Sequence, residues 1–191
     1  MSGLITVGYF LFSLFFSLLT FILWARIALR YFRVSSLHPV SQATNVLTYP
    51  IVSPVSRLFP VKKNRPNRYD WACFIVLVVV ELLKFTAIGL LFLREMLPLL
   101  YLLLYTLADL VVQPLTLLFY AIIIRVVMSW INPGWVHPIA DILRLVTDPL
   151  LRIGRRIIPD ISGFDFSPFI MLIILKIITL FIQASLPYQL I

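Results

Sequence analysis

The sequence has few of the residues on which soluble enzymes and disulfide-linked domains depend. Among its 191 residues there is one cysteine, Cys73, so an internal disulfide is excluded and a cysteine-rich metal site cannot form. Only 13% of the residues are charged, about half of the share found in a soluble domain. The chain also lacks a glycine-rich phosphate loop, a nucleophile beside a base and a run of zinc ligands. We therefore expect neither an enzyme nor a cofactor.

What the chain has in abundance is apolar sequence. Hydrophobic residues make up 61% of it, and runs of about 20 such residues, the length needed to cross a bilayer, recur along the chain. The sequence therefore predicts an all-α membrane protein with four transmembrane helices, at residues 4–26, 71–93, 110–131 and 168–187. Because no basic residue precedes the first long run, we interpret it as a retained span and not as a cleaved signal.

Residues 97–107 do not fit the four-span pattern. This segment is apolar but only about 11 residues long, and it is too short to cross the membrane alone. We expect an interfacial connector on the outer face, bounded by Pro98 and Asp109. Two alternatives stay open: an extension of the third span into a long helix that is tilted or kinked at Pro114, and an extra span.

The cations lie on one side of these spans. Of the 16 Lys and Arg residues, eight fill or border the loop after the first span and five the loop after the third. Both loops should therefore be cytoplasmic and both termini on the outer side of the membrane. The net charge of +8 then follows from topology and from attraction to anionic lipid. Without interleaved aromatic residues it does not indicate nucleic-acid binding.

Two parts of the chain match each other at a constant spacing of 99 residues. The seven identities pair Arg26, His38, Pro39, Thr48, Pro50, Arg57 and Pro60 with Arg125, His137, Pro138, Thr147, Pro149, Arg156 and Pro159. Asp70 and Asp165 match after four extra residues in the first loop. We therefore predict two tandem parallel repeats, residues 1–96 and 97–191, each made of a span, a polar loop and a second span.

Each loop is expected to contain short amphipathic helices that lie at the cytoplasmic membrane surface. In the second loop Asp148 can cap a helix that begins at Pro149, and another short helix at Pro138–Val146 precedes it. The arginines opposite the apolar faces, which are candidates for contact with anionic headgroups, are Arg57, Arg152, Arg155 and Arg156. A solvated loop that merely carries positive charge is the alternative.

The second half of the chain carries polar residues and prolines in a characteristic order. They are Arg125, Ser129-Trp130, Pro138, Thr147-Asp148-Pro149-Leu150-Leu151, Arg155-Arg156, Pro159, Gly163, Asp165 and Ser167-Pro168. This pattern resembles the YggT family (the YlmG group) of bacterial and plastid membrane proteins, in its two-repeat form. The first copy is degenerate, with Tyr31 in place of Trp130 and Tyr49 in place of Asp148.

The resemblance implies a family without an established catalytic activity. Its members are linked to cell division and nucleoid distribution, to osmotic stress and, in plastids, to the assembly of a cytochrome complex. The resemblance also implies a bacterial inner membrane, in which both termini would be periplasmic. We expect the lipid bilayer and other membrane proteins as partners, with self-association left open. Two functions are compatible with the sequence: a scaffold or assembly factor, and a small ion channel or transporter.

The two histidines, His38 and His137, occupy matching positions. A pair of imidazoles near a pseudo-axis could bind a metal ion or a proton. Each of them, however, stands before a proline, where a polar residue simply opens a helix, and no carboxylate or thiol lies at ligand spacing. We therefore expect no metal site.

Glu81 and Lys176 also occupy matching positions, each 11 residues beyond an aspartate, and so lie near the middle of the second and fourth spans. Ionisable residues at that depth usually face protein or water. The opposite charges predict an interhelical ion pair that joins the repeats, with Lys84 as the competing partner of Glu81. A structural pair is favoured over an ion path.

The loop-side ends of the spans carry further candidate residues. The predicted caps and starts of the return spans are Asp70, Asp165, Ser167 and Pro168. Arg26 and Arg125 end the first and third spans. They can reach lipid headgroups or the two aspartates.

Overall fold

The computed structural model describes residues 3–58, 69–93, 96–131, 134, 137–157 and 165–187. Within these ranges the chain forms six α-helices and one π-helical segment, and no β-strand. The helices are α1 (Gly3–Tyr31), α2 (Pro39–Leu58), α3 (Trp71–Ile88), α4 (Leu99–Ile131), α5 (Pro138–Ile157) and α6 (Ser167–Ala184), and the π-helical segment Gly89–Leu93 continues α3. The expected all-α class is confirmed.

Four of the helices are long and apolar enough to cross a membrane: α1, α3 with its π-helical extension, α4 and α6. Many of their large apolar side chains are exposed, among them Phe10 of α1 and Phe181 of α6, as is normal for residues that face lipid. The chain is therefore a multi-pass membrane protein. We call the end of the spans at which α2 and α5 lie the loop-side end.

The expectation of a separate connector at residues 97–107 is wrong. Residues 99–131 form one helix, α4, with Pro114 inside it. Its 33 residues extend for about 50 Å, whereas the hydrocarbon core is ~30 Å thick. The helix continues through Asp109, whose carboxylate is buried and paired with Lys84 of α3. Residues 99–107 therefore continue the third span.

α2 and α5 connect the spans, and each is one helix of 20 residues where we expected two short ones. Pro50 and Pro54 lie inside α2, and Pro149 lies inside α5. The expected helix start at Asp148 and Pro149 is therefore wrong. The guanidinium of Arg125 binds the turn before Pro149, and this contact from α4 supports α5 where proline removes a backbone hydrogen bond.

Each half of the chain packs as a group of three helices. In the first helix group α1 packs on α2 and α3, and α2 packs on α3; in the second, α4 packs on α5 and α6, and α5 packs on α6. The first core is built around Leu23 and the second around Ile122. The α3–α4 contact joins the two groups, and there Phe85 stacks on Tyr105 with ring centroids 5.5 Å apart.

The close approach of α5 to α6 depends on Gly154. A Cβ atom at this position would lie 2.9 Å from Cβ of Ser167 and 3.0 Å from Cγ of Met171. Real side chains do not tolerate such distances, so the crossing of these two helices requires the absence of a side chain. The matching position of the first helix group is Val55, which packs against that group's core.

Candidate functional site inside the membrane

Three ionisable side chains meet between α3 and α4, in the interior of the membrane spans. The ammonium group of Lys84 lies 3.4 Å from Oε2 of Glu81, one turn earlier on α3, and it also pairs with Asp109 of α4. The exposed fractions are 0% for Glu81, 4% for Lys84 and 1% for Asp109. Such deeply buried charges are stable only when they are paired. We call these three residues the buried ion cluster.

Polar side chains extend the buried ion cluster to α1. The amide of Gln113, one turn after Asp109, donates to Oδ2 of Asp109 at 3.3 Å. Thr20 of α1 donates to the carbonyl oxygen of the same amide at 3.1 Å. Lys84 also lies over the ring of Phe85, 4.8 Å from its centroid. The network therefore connects three spans, two from the first helix group and one from the second.

The charges of the buried ion cluster do not balance. Two carboxyl groups face one ammonium group, and Oε1 of Glu81 has no hydrogen-bond partner among the described residues. With all three groups ionised the cluster would carry one negative charge in a medium that disfavours it. Chemically, therefore, the cluster can hold one additional proton.

The predicted pair of Glu81 with Lys176 does not form. α3 packs on α1, α2 and α4, whereas α6 packs on α4 and α5, so the two helices do not face each other. Lys176 is instead exposed on α6. Lys84, the competing partner, takes the place beside Glu81. Sequence reasoning missed Asp109, because a charge at the edge of an apolar segment indicates a boundary; its spacing of four residues from Gln113 was the available signal.

At the loop-side end of the first helix group, two arginines share one carboxylate. Nε of Arg26 lies 3.0 Å and Nη1 of Arg30 lies 2.7 Å from Oδ2 of Asp70. Arg26 also donates to the hydroxyl of Thr48 on α2 at 2.7 Å. Asp70 is the N-cap residue of α3, since its Oδ1 accepts from the N–H of Cys73 at 3.2 Å. One carboxylate therefore ties α1 to the start of α3.

The second helix group repeats the arginine–threonine contact with different acidic partners. Arg125 donates to the hydroxyl of Thr147 at 2.7 Å, the distance of the matching contact in the first group. It pairs with Asp148 at 2.6 Å, whereas Asp165 pairs with Arg155 of α5 at 2.9 Å. Arg125 therefore turns to an acid on α5 and not to the aspartate that precedes α6.

The start of α6 differs from the start of α3. Oδ1 of Asp165 accepts from the backbone N–H of Ser167 at 2.9 Å, but the N-cap residue is Phe166, whose side chain makes no capping bond. Pro168 lies in the first turn, where its missing N–H costs nothing. α6 is therefore started by a turn around Asp165 and by proline.

The surroundings of the two loop-side carboxylates favour their charged forms. Burial by itself raises the pKa of Asp70, but the hydrogen bond and charge of Arg30, the charge of Arg26 and the N–H of Cys73 outweigh it and lower the pKa. At Asp165 burial by itself also raises the pKa, but the hydrogen bonds from Ser167 and Arg155 outweigh it and lower the pKa. Both groups are therefore ionised at neutral pH.

The remaining candidates lie on α2 and α5 or at their starts. Arg57, Arg152, Arg155 and Arg156 are all exposed. Nδ1 of His38 accepts from the N–H of Val40 at 3.3 Å, and Nδ1 of His137 accepts from the N–H of Ile139 at 3.2 Å. Each imidazole thus satisfies a free backbone donor at the start of its helix, as a capping side chain does.

Comparison with known proteins gives one family and several bacterial relatives. The family model CCB3/YggT matches residues 5–91 and again residues 99–186. The uncharacterised protein YggT of Escherichia coli (strain K12) is 31% identical over 174 residues, which cover 90% of this chain and 86% of that protein. The uncharacterised protein PA0392 of Pseudomonas aeruginosa is 27% identical over 195 residues, with 97% and 93% covered. No solved structure matches the chain.

Proposed function

Since the chain belongs to the CCB3/YggT family, we propose that it is a scaffold or assembly factor of a bacterial inner membrane that binds other membrane proteins through its spans. The resemblance of its sequence to this family suggests cell division, the envelope or osmotic stress as the context. Two tandem parallel repeats, residues 1–96 and 97–191, form this scaffold. The two matches of the family model and the same three pairwise helix contacts in each helix group support this organisation.

The proposed topology has both termini in the periplasm and α2 and α5 at the cytoplasmic surface. The basic residues that border both loops support it, because cytoplasmic loops carry an excess of Lys and Arg. In α5, Leu151 and Gly154 are buried against the bundle, whereas the arginines at 152, 155 and 156 are exposed. Together with Arg57 of α2, they are placed to contact anionic headgroups at an interface.

The observation that carries the proposal is the position of Lys176. This residue is exposed in the middle of α6, among the exposed apolar side chains of Ile173, Ile177 and Phe181. An ammonium group at that depth is costly against lipid and usually faces protein or water. We call the surface formed by Lys176, Ile173, Ile177 and Phe181 the α6 face. This face fits a partner helix that carries a carboxylate.

The described spans of a second copy of the chain do not supply this carboxylate. In the spans that the structure describes, the acidic residues are Glu81 and Asp109, and both are buried beside Lys84. A different membrane protein, with Asp or Glu in a transmembrane helix, is the occupant that charge complementarity favours. The buried ion cluster serves this role indirectly, because it links α3 to α4 and so holds the α6 face in a fixed position relative to the first helix group.

A small ion channel or transporter is the second candidate, and one observation favours it. The buried ion cluster contains one carboxyl group more than it has cations, and such a group can bind and release a proton. The exposed fractions of 0%, 4% and 1% weigh against it, because a conduit needs contact with water at both ends. Purified protein in liposomes should therefore show no ion flux that depends on Glu81.

Photo-crosslinking from the α6 face in living cells tests the scaffold. A photoreactive residue at position 177 should form an adduct with one membrane protein whose crosslinked segment contains Asp or Glu. The adduct should disappear when Lys176→Leu is added. The control carries the photoreactive residue at Phe10 of α1, which is also exposed, and its adducts should not depend on Lys176. Adducts with lipid alone at position 177, or a protein adduct that survives Lys176→Leu, contradict the proposal.

A further inference from the structure

A cavity of about 590 Å³ lies at the loop-side end of the first helix group. α1 and the residues after it contribute Arg26, Arg30 and Arg33, while α2 contributes Tyr49 and the start of α3 contributes Asp70. Tyr49 is 65% exposed, so the cavity opens to the surface. Its walls thus combine three guanidinium groups with a single carboxylate.

The charges in this cavity leave a positive excess. Asp70 accepts from both Arg26 and Arg30 through the same oxygen, Oδ2. Arg33 takes part in none of the ion pairs of the described residues. Three positive charges therefore face one negative charge, and the cavity fits an anion of charge −1 to −2.

The backbone of Arg33 has a left-handed conformation, with φ of 56°. α1 ends there in a Schellman motif, in which Val34 N–H donates to the carbonyl of Leu29 at 2.9 Å and Arg33 N–H donates to that of Arg30 at 3.1 Å. Glycine adopts this conformation at lower cost than any other residue. The arginine at this position places a third guanidinium group at the cavity.

The second helix group does not offer the same charges. The positions that match Arg30 and Arg33 are Ser129 and Asn132. The position that matches Tyr49 is Asp148, which pairs with Arg125 at 2.6 Å. The second group therefore matches its arginine with one carboxylate, whereas the first has three arginines around the single carboxylate of Asp70.

Aromatic side chains near the cavity indicate at which level of the membrane it lies. The ring centroids of Tyr31 and Tyr69 lie 6.1 Å apart, and those of Tyr69 and Trp71 lie 6.1 Å apart. All three residues are substantially exposed, and Tyr31 and Trp71 end α1 and begin α3 at the loop-side end. Tyr and Trp concentrate at the level of lipid headgroups. The cavity therefore lies where a headgroup phosphate is found.

We propose that this cavity binds a phosphate group, with Arg30 and Arg33 as its ligands and the Arg26–Asp70 pair as a fixed wall. The flat guanidinium group donates two parallel hydrogen bonds to phosphate oxygens, which makes arginine well suited to this task. The phosphate belongs to an anionic lipid headgroup or to a soluble phosphate compound. The site is separate from the α6 face and does not depend on the proposed function.

Native mass spectrometry of the full-length protein in detergent tests the site, with short-chain phosphatidic acid as the probe and phosphatidylcholine as the zwitterionic reference. Arg30→Gln with Arg33→Gly should weaken binding of phosphatidic acid at least about tenfold. Glycine suits the left-handed backbone at position 33, and Asp70 keeps Arg26, so this variant should fold. The control, Arg144→Gln, removes an exposed positive charge from α5 that the article assigns to no binding surface, and it should keep binding within about twofold.

Tyr49→Asp is the second test, because it introduces the acid of the second helix group and should let Arg26 pair as Arg125 does. It should also weaken the binding of phosphatidic acid. If inorganic phosphate displaces phosphatidic acid, the site recognises the phosphate group alone. If phosphatidic acid stays bound in the presence of inorganic phosphate, binding also requires the acyl chains of the lipid. The proposal is overturned if wild type binds neither phosphatidic acid nor inorganic phosphate, or if Arg30→Gln with Arg33→Gly loses no more affinity than Arg144→Gln.

Discussion

The first and second helix groups pack in the same pairwise order, but they treat the arginine at the end of their first span differently. Arg26 and Arg125 both donate to a threonine hydroxyl at 2.7 Å. In the second group Asp148 adds a carboxylate next to that threonine, and in the first group Tyr49 stands in its place. The shared contact holds the connecting helix on the span, while the differing residue sets the charge that remains at the loop-side end.

The return spans differ in a complementary way. α3 turns its ionisable residues, Glu81 and Lys84, inward against Asp109, whereas α6 leaves Lys176 on its outer face. α3 packs on α4 of the other helix group, whereas it has no comparable contact with α6. Residues at matching sequence positions in α3 and α6 therefore have different neighbours. One return span thus joins the two helix groups, and the other carries a charge on an exposed face.

The largest effect is expected when the inward charge is removed. Lys84→Met leaves Glu81 and Asp109 buried without a cation, which costs ~3–5 kcal/mol in soluble proteins and somewhat less in a membrane. The thermal midpoint in detergent should fall clearly. Replacing all three residues, with Glu81→Gln, Lys84→Met and Asp109→Asn, should recover much of this loss, because no unpaired charge remains.

The same measurement can break the comparison between the return spans. Lys176→Met removes the same side chain from an exposed position, so its effect on the thermal midpoint should be small. Equal losses for Lys84→Met and Lys176→Met would mean that the buried ion cluster does not hold the helix groups together. A triple variant as unstable as Lys84→Met alone would lead to the same conclusion.

A smaller effect is expected where α5 crosses α6. Gly154→Ala forces a methyl group to within 2.9 Å of Ser167 and should cost about 1–3 kcal/mol, since the backbone of α6 has to shift. Gly8→Ala is the matched control in α1: its nearest neighbour would be Phe92 at 3.8 Å, an ordinary contact, so helix propensity should make it neutral or mildly stabilising. If both substitutions are neutral in thermal unfolding, the close crossing is not required.

The smallest effect concerns acid sensitivity at the loop-side end. A lowered pKa in the folded protein adds stability that is fully present above the unfolded value of ~3.9 and is lost as the pH falls through the folded pKa. Asp70→Asn should therefore lower the thermal midpoint at pH 7 and reduce its fall between about pH 5 and pH 2.5. Asp165→Asn should have both effects on the thermal midpoint to a smaller extent, because Asp165 is more exposed and pairs with one arginine. The reverse order would contradict the assigned contacts.

The sequence predicted the parts of the fold that depend on apolar length. Four spans follow from four long apolar runs, because the bilayer demands that length. The continuous α4 could not be predicted from Asp109, whose charge suggests a boundary until its partner Lys84 on another helix is known. The merged helices α2 and α5 were missed because Pro149 indicates a start, whereas Arg125 supports the helix through it.

The candidate site was predicted in part. Glu81 was identified from its depth in an apolar run, and Lys84 from its spacing on the same helix. The pairing with Lys176 failed because equivalent positions meet only across a symmetric contact, and the two helix groups join through the non-equivalent helices α3 and α4. Tertiary neighbours of this kind are not contained in spacing along one chain.

The central claim is that Lys84 holds the two helix groups together while Lys176 binds a partner. It is tested most directly by measuring, for Lys176→Met, both the thermal midpoint of the purified protein and the rescue of a deletion strain under osmotic stress. We expect an unchanged midpoint together with lost rescue, because the substitution removes a binding charge and no internal contact. A lowered midpoint, or full rescue with an unchanged midpoint, would contradict the account.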